Sequence, residues 1–229
     1  MIEKRFVAPA LPLPQQQYDV LSATNQIRVL RLYFNLLDQY FAGTILPALN
    51  GGVGGNGITF PHIAASDSTD QIATGNNTAT AVKWNTLDSG YLWTLNSPGS
   101  ATADVAGVYT IRYSLQFINT ANAVHYATVW LKVNTNDVAN SSTIFAVPAR
   151  KSASPGEEGY LCAYSEATFT VDVGDEIELY WATDLAGNPT TPTDGVYMFH
   201  DAAQTTPYAR PAIPSAIGSI CWLSAIPPA

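Results

Sequence analysis

Two hydrophobic periods divide the chain. Between residues 19 and 42 apolar positions recur at helical spacing. Ile27, Leu30, Phe34, Leu37 and Phe41 are separated by three, four, three and four positions, the a/d spacing of a helix seam. Val20 and Ala23 extend the seam backwards. A second stripe, Val29, Tyr33, Leu36 and Tyr40, runs beside it, and Arg28, Arg31, Asn35 and Asp38 form a polar edge. Ten of the fifteen residues from Ile27 to Phe41 are apolar. Docking on one surface needs a single stripe of about 100°. The pattern predicts a helix that starts at Asp19 or Ser22, both good caps, and ends near Gly43. It further predicts burial on two sides, against sister helices and against another protein, in preference to packing on its own domain alone. A helix of this length is not a stable coiled coil by itself, so the rest of the chain must contribute.

From Ile58 onward the period falls to two, broken by turn residues. In "GVYTIRYSLQFIN" one face carries Tyr109, Ile111, Tyr113, Leu115 and Phe117, and this is the core face. "AVKWNTLDSGYLWTL", "HYATVWLKVNTNDV", "STIFAVPAR", "GYLCAYSEATFTVDVGDEIELYWATD" and "SAIGSICWLSAI" continue the alternation. Eight to ten strands with no second helix predict a mainly β domain over residues 58–229, an antiparallel jelly-roll sandwich. Residues 1–18 hold Pro9, Pro12 and Pro14 and read as an extended arm. Residues 43–57 contain six glycines and read as a flexible linker. This glycine run lacks the Lys-Ser/Thr of a phosphate-cradling loop.

Charge narrows the choice of partners. The chain has 229 residues, of which 12% are charged, and a net charge of −8. Residues 1–50 carry a net +1 and the remainder −9. Phosphate contacts need clustered cations, so nucleic acid is excluded as a partner. No stretch is long and apolar enough to predict a membrane span, and no signal peptide pattern is visible. The protein is therefore expected to be made soluble in the cytoplasm. Cys162 and Cys221 lie in apolar runs and read as buried free thiols, although one bridge between them stays open.

Candidate chemistry is sparse. His62, His125 and His200 have neither metal-ligand nor triad spacing and read as surface or boundary histidines. Asp172, Asp175, Glu176 and Glu178 are explained by a Gly174-Asp175 hairpin turn and one solvent face of a strand. No nucleophile elbow or cofactor fingerprint occurs, so no catalytic residue, metal or cofactor is expected. Tyr160, Tyr197 and Tyr208 read as loop aromatics open to a glycan. Trp84, Trp93, Trp130, Trp181 and Trp222 lie in strand patterns and read as core or subunit packing.

Three segments resemble the family of complement C1q globular heads and tumour necrosis factor. "GVYTIRYSLQF" is similar to its Gly-x-Tyr strand, "TVWLKVNTNDV" to its strand ending in an Asn-containing turn, and "FTVDVGDEIELYW" to its strand–Gly-Asp–strand hairpin. "SAIGSICWLSAI" fits the last strand, which in that family runs up the trimer centre. The resemblance spans about residues 58–227 and implies a homotrimer. The sequence has neither the collagen-like nor the membrane stalk usual in mammalian members, so immune and signalling roles are not carried over. The opening "ALPLPQQQYD", followed by "NQIRVLRLYFNLLDQYF", resembles the start of tailed-bacteriophage structural proteins. In those proteins a short N-terminal element attaches to the virion and a β-rich domain projects outward. The pairing implies a non-enzymatic trimer on the virion surface. Capsid or tail proteins would be its partners, as a capsid decoration (cement) protein or a short fibre. The alternatives are a host-glycan-binding fibre tip, a soluble lectin-like protein and a virion carbohydrate-degrading enzyme.

Overall fold

Strand side chains alternate between faces, so a segment with one apolar face is buried on one side only. The computed structural model describes residues 20–40, 60–96, 99–152, 154, 156–190 and 194–226, and helix side chains from residue 28 to 39. The chain divides into two compact units, Met1–Thr59 and Phe60–Ala229. In the first, α1 spans Val20–Tyr40. The arm, the glycine linker, Asp19 and Phe41 lie outside the described residues, as do the side chains of Ser22, Ile27 and Tyr40.

The second unit is a mainly β, two-sheet jelly-roll sandwich. Its strands are β1 (His62–Asp67), β2 (Thr80–Ala81), β3 (Thr86–Tyr91), β4 (Trp93–Asn96), β5 (Ser100–Ala103), β6 (Gly107–Asn119), β7 (His125–Val133), β8 (Asn136–Asp137), β9 (Thr143–Val147), β10 (Gly159–Val171), β11 (Glu176–Thr183), β12 (Val196–Met198) and β13 (Ala216–Ser224). One sheet has the order β10-β6-β13-β1-β3, with β12 also on β6. The other runs β4-β5-β11-β7-β8, with β2 on β11 and β9 on β7. All these pairings are antiparallel.

Among the described residues thirteen strands replace the expected eight to ten because short pieces such as β2, β8 and β12 carry too few residues to show a period. "AVKWNTLDSGYLWTL" is not one strand. It holds the end of β2, a link, β3 and most of β4, and the chain turns from one sheet to the other at Leu92, whose φ is +56°. Trp84 consequently lies in the link and not in a strand.

Two buried clusters fill the sandwich. Tyr113, Leu115, Phe117, Val129, Leu179 and Trp181 are among the members of one. Tyr109, Ile111, Leu131, Phe169, Val171 and Ile177 are among those of the other. The expected core face of β6 is thus fully buried. Trp93 meets Tyr109 edge-on with centroids 5.1 Å apart, and Phe117 meets Trp181 at 5.5 Å; aromatic contacts of this kind add to simple area burial. Of the five tryptophans only Trp93 and Trp181 are buried. Trp222 stacks on Phe60 at 5.4 Å and 8°, and its backbone N–H donates to the Pro61 carbonyl at 3.0 Å.

Candidate functional site

The outward face of the six-stranded sheet carries little charge. Register places its residues in rows. Tyr164, Ser114, Ile217 and Ser66 form one row, Glu166, Arg112, Ser219 and Ala64 the next, and Thr168, Thr110, Cys221 and His62 a third. Outward positions on β1, β6, β10 and β13 are mostly Ser, Thr, Ala, Cys, Gln and apolar residues. Their one carboxylate and one guanidinium, Glu166 and Arg112, pair with each other at 3.1 Å with more than half of each side chain exposed. Exposed pairs contribute only about 0–1 kcal/mol. Tyr164 is 59% and Ile217 45% exposed, so large apolar groups stand in water on this face.

A solvated antiparallel face normally alternates apolar-in with polar-out. The other sheet carries charge outward, with Glu176, Glu178, Lys132 and Asp137, beside the exposed Tyr126 and Ile144. There Lys132 Nζ lies 3.4 Å from Asp137 and 4.4 Å above the Tyr180 ring. Burial and the neighbouring Glu176 push the Glu178 carboxyl up, while Lys132 opposes them. The solvent-facing assignment of Glu176 and Glu178 on one strand face holds, and Gly174, at φ +88°, makes the expected turn beside Asp175.

Both cysteines sit outward and exposed, against the expectation of burial. In "YLCAY" the core position belongs to Ala163, and in "SICWL" to Ile220. An apolar run does not reveal which parity faces the core when both faces carry apolar residues. Cys162 pairs opposite Gln116 on one side of β6 and Cys221 opposite Thr110 on the other. Six residues of strand separate them by roughly 20 Å, so no bridge joins them within the chain. Ser114 Oγ lies 3.2 Å from Cys162 Sγ.

The three glycan candidates divide. Tyr160 on β10 and Tyr197 on β12 flank the same residue of β6, Ile118, so neither is a loop residue. The Tyr160 ring meets Phe199 edge-on at 5.2 Å, and its hydroxyl donates to Glu158 at 3.0 Å. Burial, then the Glu158 carboxylate, pushes the Tyr160 phenol up to about 12. Tyr197 is raised by burial and then by Asp70 and Glu158. Tyr208 stands apart, 66% exposed in the loop between β12 and β13.

His62 and His125 each open a strand, and His200 follows β12. His125 Nδ1 lies 3.0 Å from Asp184. Among the described residues no three of His, Cys, Asp or Glu converge on a metal geometry, and no helix is long and apolar enough to cross a membrane.

On α1, Leu30, Phe34 and Leu36 are exposed, and Val29, Tyr33 and Leu37 are half-buried. Leu32, absent from both expected stripes, is 56% exposed. At about 100° per residue, the arc from Phe34 round through Val29 and Leu36 to Leu32 covers about 200°. That is roughly twice what one docking surface needs.

No protein-family model and no curated protein matches this sequence. Among solved structures the chain is similar to the globular domain of zebrafish complement 1qA protein, at 13% identity and a TM-score of 0.42, over 72% of this chain and 99% of that one. The fold itself follows from the strand order and register given above.

Proposed function

We propose that this chain is a homotrimeric structural protein of a tailed-bacteriophage particle. It is displayed on the virion surface and attached through its N-terminal arm and helix, as a capsid decoration or a short head or tail fibre. The observation that carries the trimer is the outward face of the six-stranded sheet. It measures roughly 40 Å by 20 Å from strand rise and spacing, close to the roughly 800 Å² per partner of a standard interface. One ion pair is its only charge on the four strands β1, β6, β10 and β13, and its apolar groups are large. Covering such faces symmetrically in a closed ring removes them from water. The virion setting rests on the resemblance of residues 10–41 to phage structural proteins, and the attachment role on the 200° apolar arc of α1. The function is binding and scaffolding, without turnover.

Light scattering at micromolar concentration should give three times the 24.5 kDa chain mass; a clean monomer overturns the trimer. A truncation lacking residues 1–42 should be missing from assembled particles, and its retention overturns the anchor. Release of oligosaccharides from host polysaccharide would establish an enzyme instead. A second role, recognition of host glycan by a fibre tip, is favoured by one observation, the shared position of Tyr160 and Tyr197 about Ile118. A decoration protein raises the heat resistance of particles, whereas a receptor-binding tip changes adsorption.

A further inference from the structure

Beside the edge strand β3, the seam between the sheets opens into a cleft of about 380 Å³. It lies between the end of β1, the link from β2 to β3, and the end of β4. Trp84 and Leu95 supply its apolar lining, and Asp67, Lys83, Asn85 and Asn96 supply polar groups. This volume is near the lower end of ligand sites, which run from about 300 to 1,000 Å³.

A buried network holds the cleft in shape. Gln71, 3% exposed, clamps both backbone groups of Lys83. Its Oε1 accepts the Lys83 N–H at 2.8 Å, and its Nε2 donates to the Lys83 carbonyl at 3.1 Å. The same Nε2 lies 3.2 Å from Ser215 Oγ, which donates to the Asp67 carbonyl at 3.3 Å. Asp67 is 1% exposed, and its Oδ1 accepts the Thr69 N–H at 2.8 Å. Several groups facing the cleft remain unspent. Among the described residues Asp67 Oδ2 accepts no hydrogen bond, Lys83 Nζ makes no ion pair and Trp84 Nε1 donates to nothing. Asn96 uses its Nδ2 on Thr102 Oγ1 at 2.8 Å and keeps its Oδ1.

Those leftovers define a ligand. They comprise an indole and an aliphatic side chain, two acceptors, two donors, and one positive charge offset by one negative. A phosphate would meet the Asp67 carboxylate, and a wholly apolar ligand would strand the polar groups at the cost of their desolvation. A pyranose presents a C–H face and several hydroxyls that each donate and accept. We propose that this cleft binds one saccharide unit, with Trp84 against the ring face and Asp67, Lys83 and Asn96 on its hydroxyls. The site is separate from the Tyr160–Tyr197 cluster and does not depend on trimer formation or on a virion setting.

Saturation-transfer NMR on the full chain tests it, using the methyl glycosides of glucose, galactose, mannose and N-acetylglucosamine up to tens of millimolar. At least one glycoside should bind, and its affinity should fall about fivefold or more, the loss of one hydrogen bond, in Lys83→Ala or Asn96→Ala. Both substitutions leave the Trp84 ring and the buried Gln71 clamp in place, and matching thermal melts verify folding. Binding by none of the four glycosides overturns the proposal. So does binding that neither variant weakens. Neither result bears on the trimer, which light scattering reads separately.

Discussion

A Cβ added at Gly218 would stand 2.7 Å from Cη2 of Trp84. The indole of the β2–β3 link therefore lies directly on the backbone of β13, and glycine is the residue that lets it approach. Gly218→Ala must displace a ring that packs against the core. Overpacking of this kind costs about 1–3 kcal/mol. For a domain of this size the melting temperature should fall by roughly 3–10 °C. A melt that is unchanged would mean that Trp84 moves away freely.

The exposed thiols report assembly. In dilute, dissociated chains both Cys162 and Cys221 should react promptly with a thiol reagent, two per chain, because both side chains face outward. If the neutral sheet face is the trimer interface, Cys221 in its third row should become slow to react as concentration rises. Equal rates at all concentrations would place the interface elsewhere. Non-reducing electrophoresis should show no bridge within the chain, given the roughly 20 Å separation along β6.

Ile217→Glu separates folding from association. The side chain is exposed within the chain, so the substitution should alter the stability of the isolated sandwich by no more than about 0.5 kcal/mol. Buried between subunits, the same carboxylate would be unpaired, at a cost of several kcal/mol, and the scattering mass should drop to that of one chain. A trimer that tolerates Glu at 217 contradicts the proposed interface.

Asp184 gives a pH dependence with a definite sign. Burial raises its carboxyl, but the Tyr126 N–H at 2.8 Å and the His125 ring at 3.0 Å more than offset this and hold it below the usual carboxylate range. With the folded value below the unfolded one of about 3.9, the unfolded chain binds more protons in acid. The stabilisation is complete above the unfolded value and is lost as pH falls through the folded one. Thermal melts should therefore show wild type above Asp184→Asn at about pH 5, with the margin closing below about pH 4. A margin that persists unchanged into acid would show that the carboxylate contributes nothing through its charge.

Much of the sandwich was legible because β6 and β11 alternate and their buried parity is set by aromatic and branched residues. The helix was legible from its spacing, although Leu32 shows that two stripes understate the apolar arc. Other features depend on partners distant in sequence. Tyr160 and Tyr197 come together only because β12 joins β6 on the side opposite β10. The contact of Gln71 with Ser215 spans 144 positions. Neither pairing leaves a local signal. The neutral face was visible in principle. In "GYLCAYSEATFTV" the positions of Tyr160 parity contain one charge, Glu166, but sequence alone did not choose between that parity and its complement for the cysteines.

The stack of Phe60 on Trp222 has a practical consequence. Strand β1 starts and β13 finishes at the same pole of the sandwich, with His62 opposite Cys221. Tyr160 and Tyr197 lie about 30 Å away along β6. The start of β1 and the end of β13 therefore share one pole. A fluorophore or affinity tag fused after residue 226 would crowd that pole while leaving the far one unobstructed. A circular permutant that joins the two ends and reopens the chain in the exposed loop around Tyr208 should keep the whole sandwich intact.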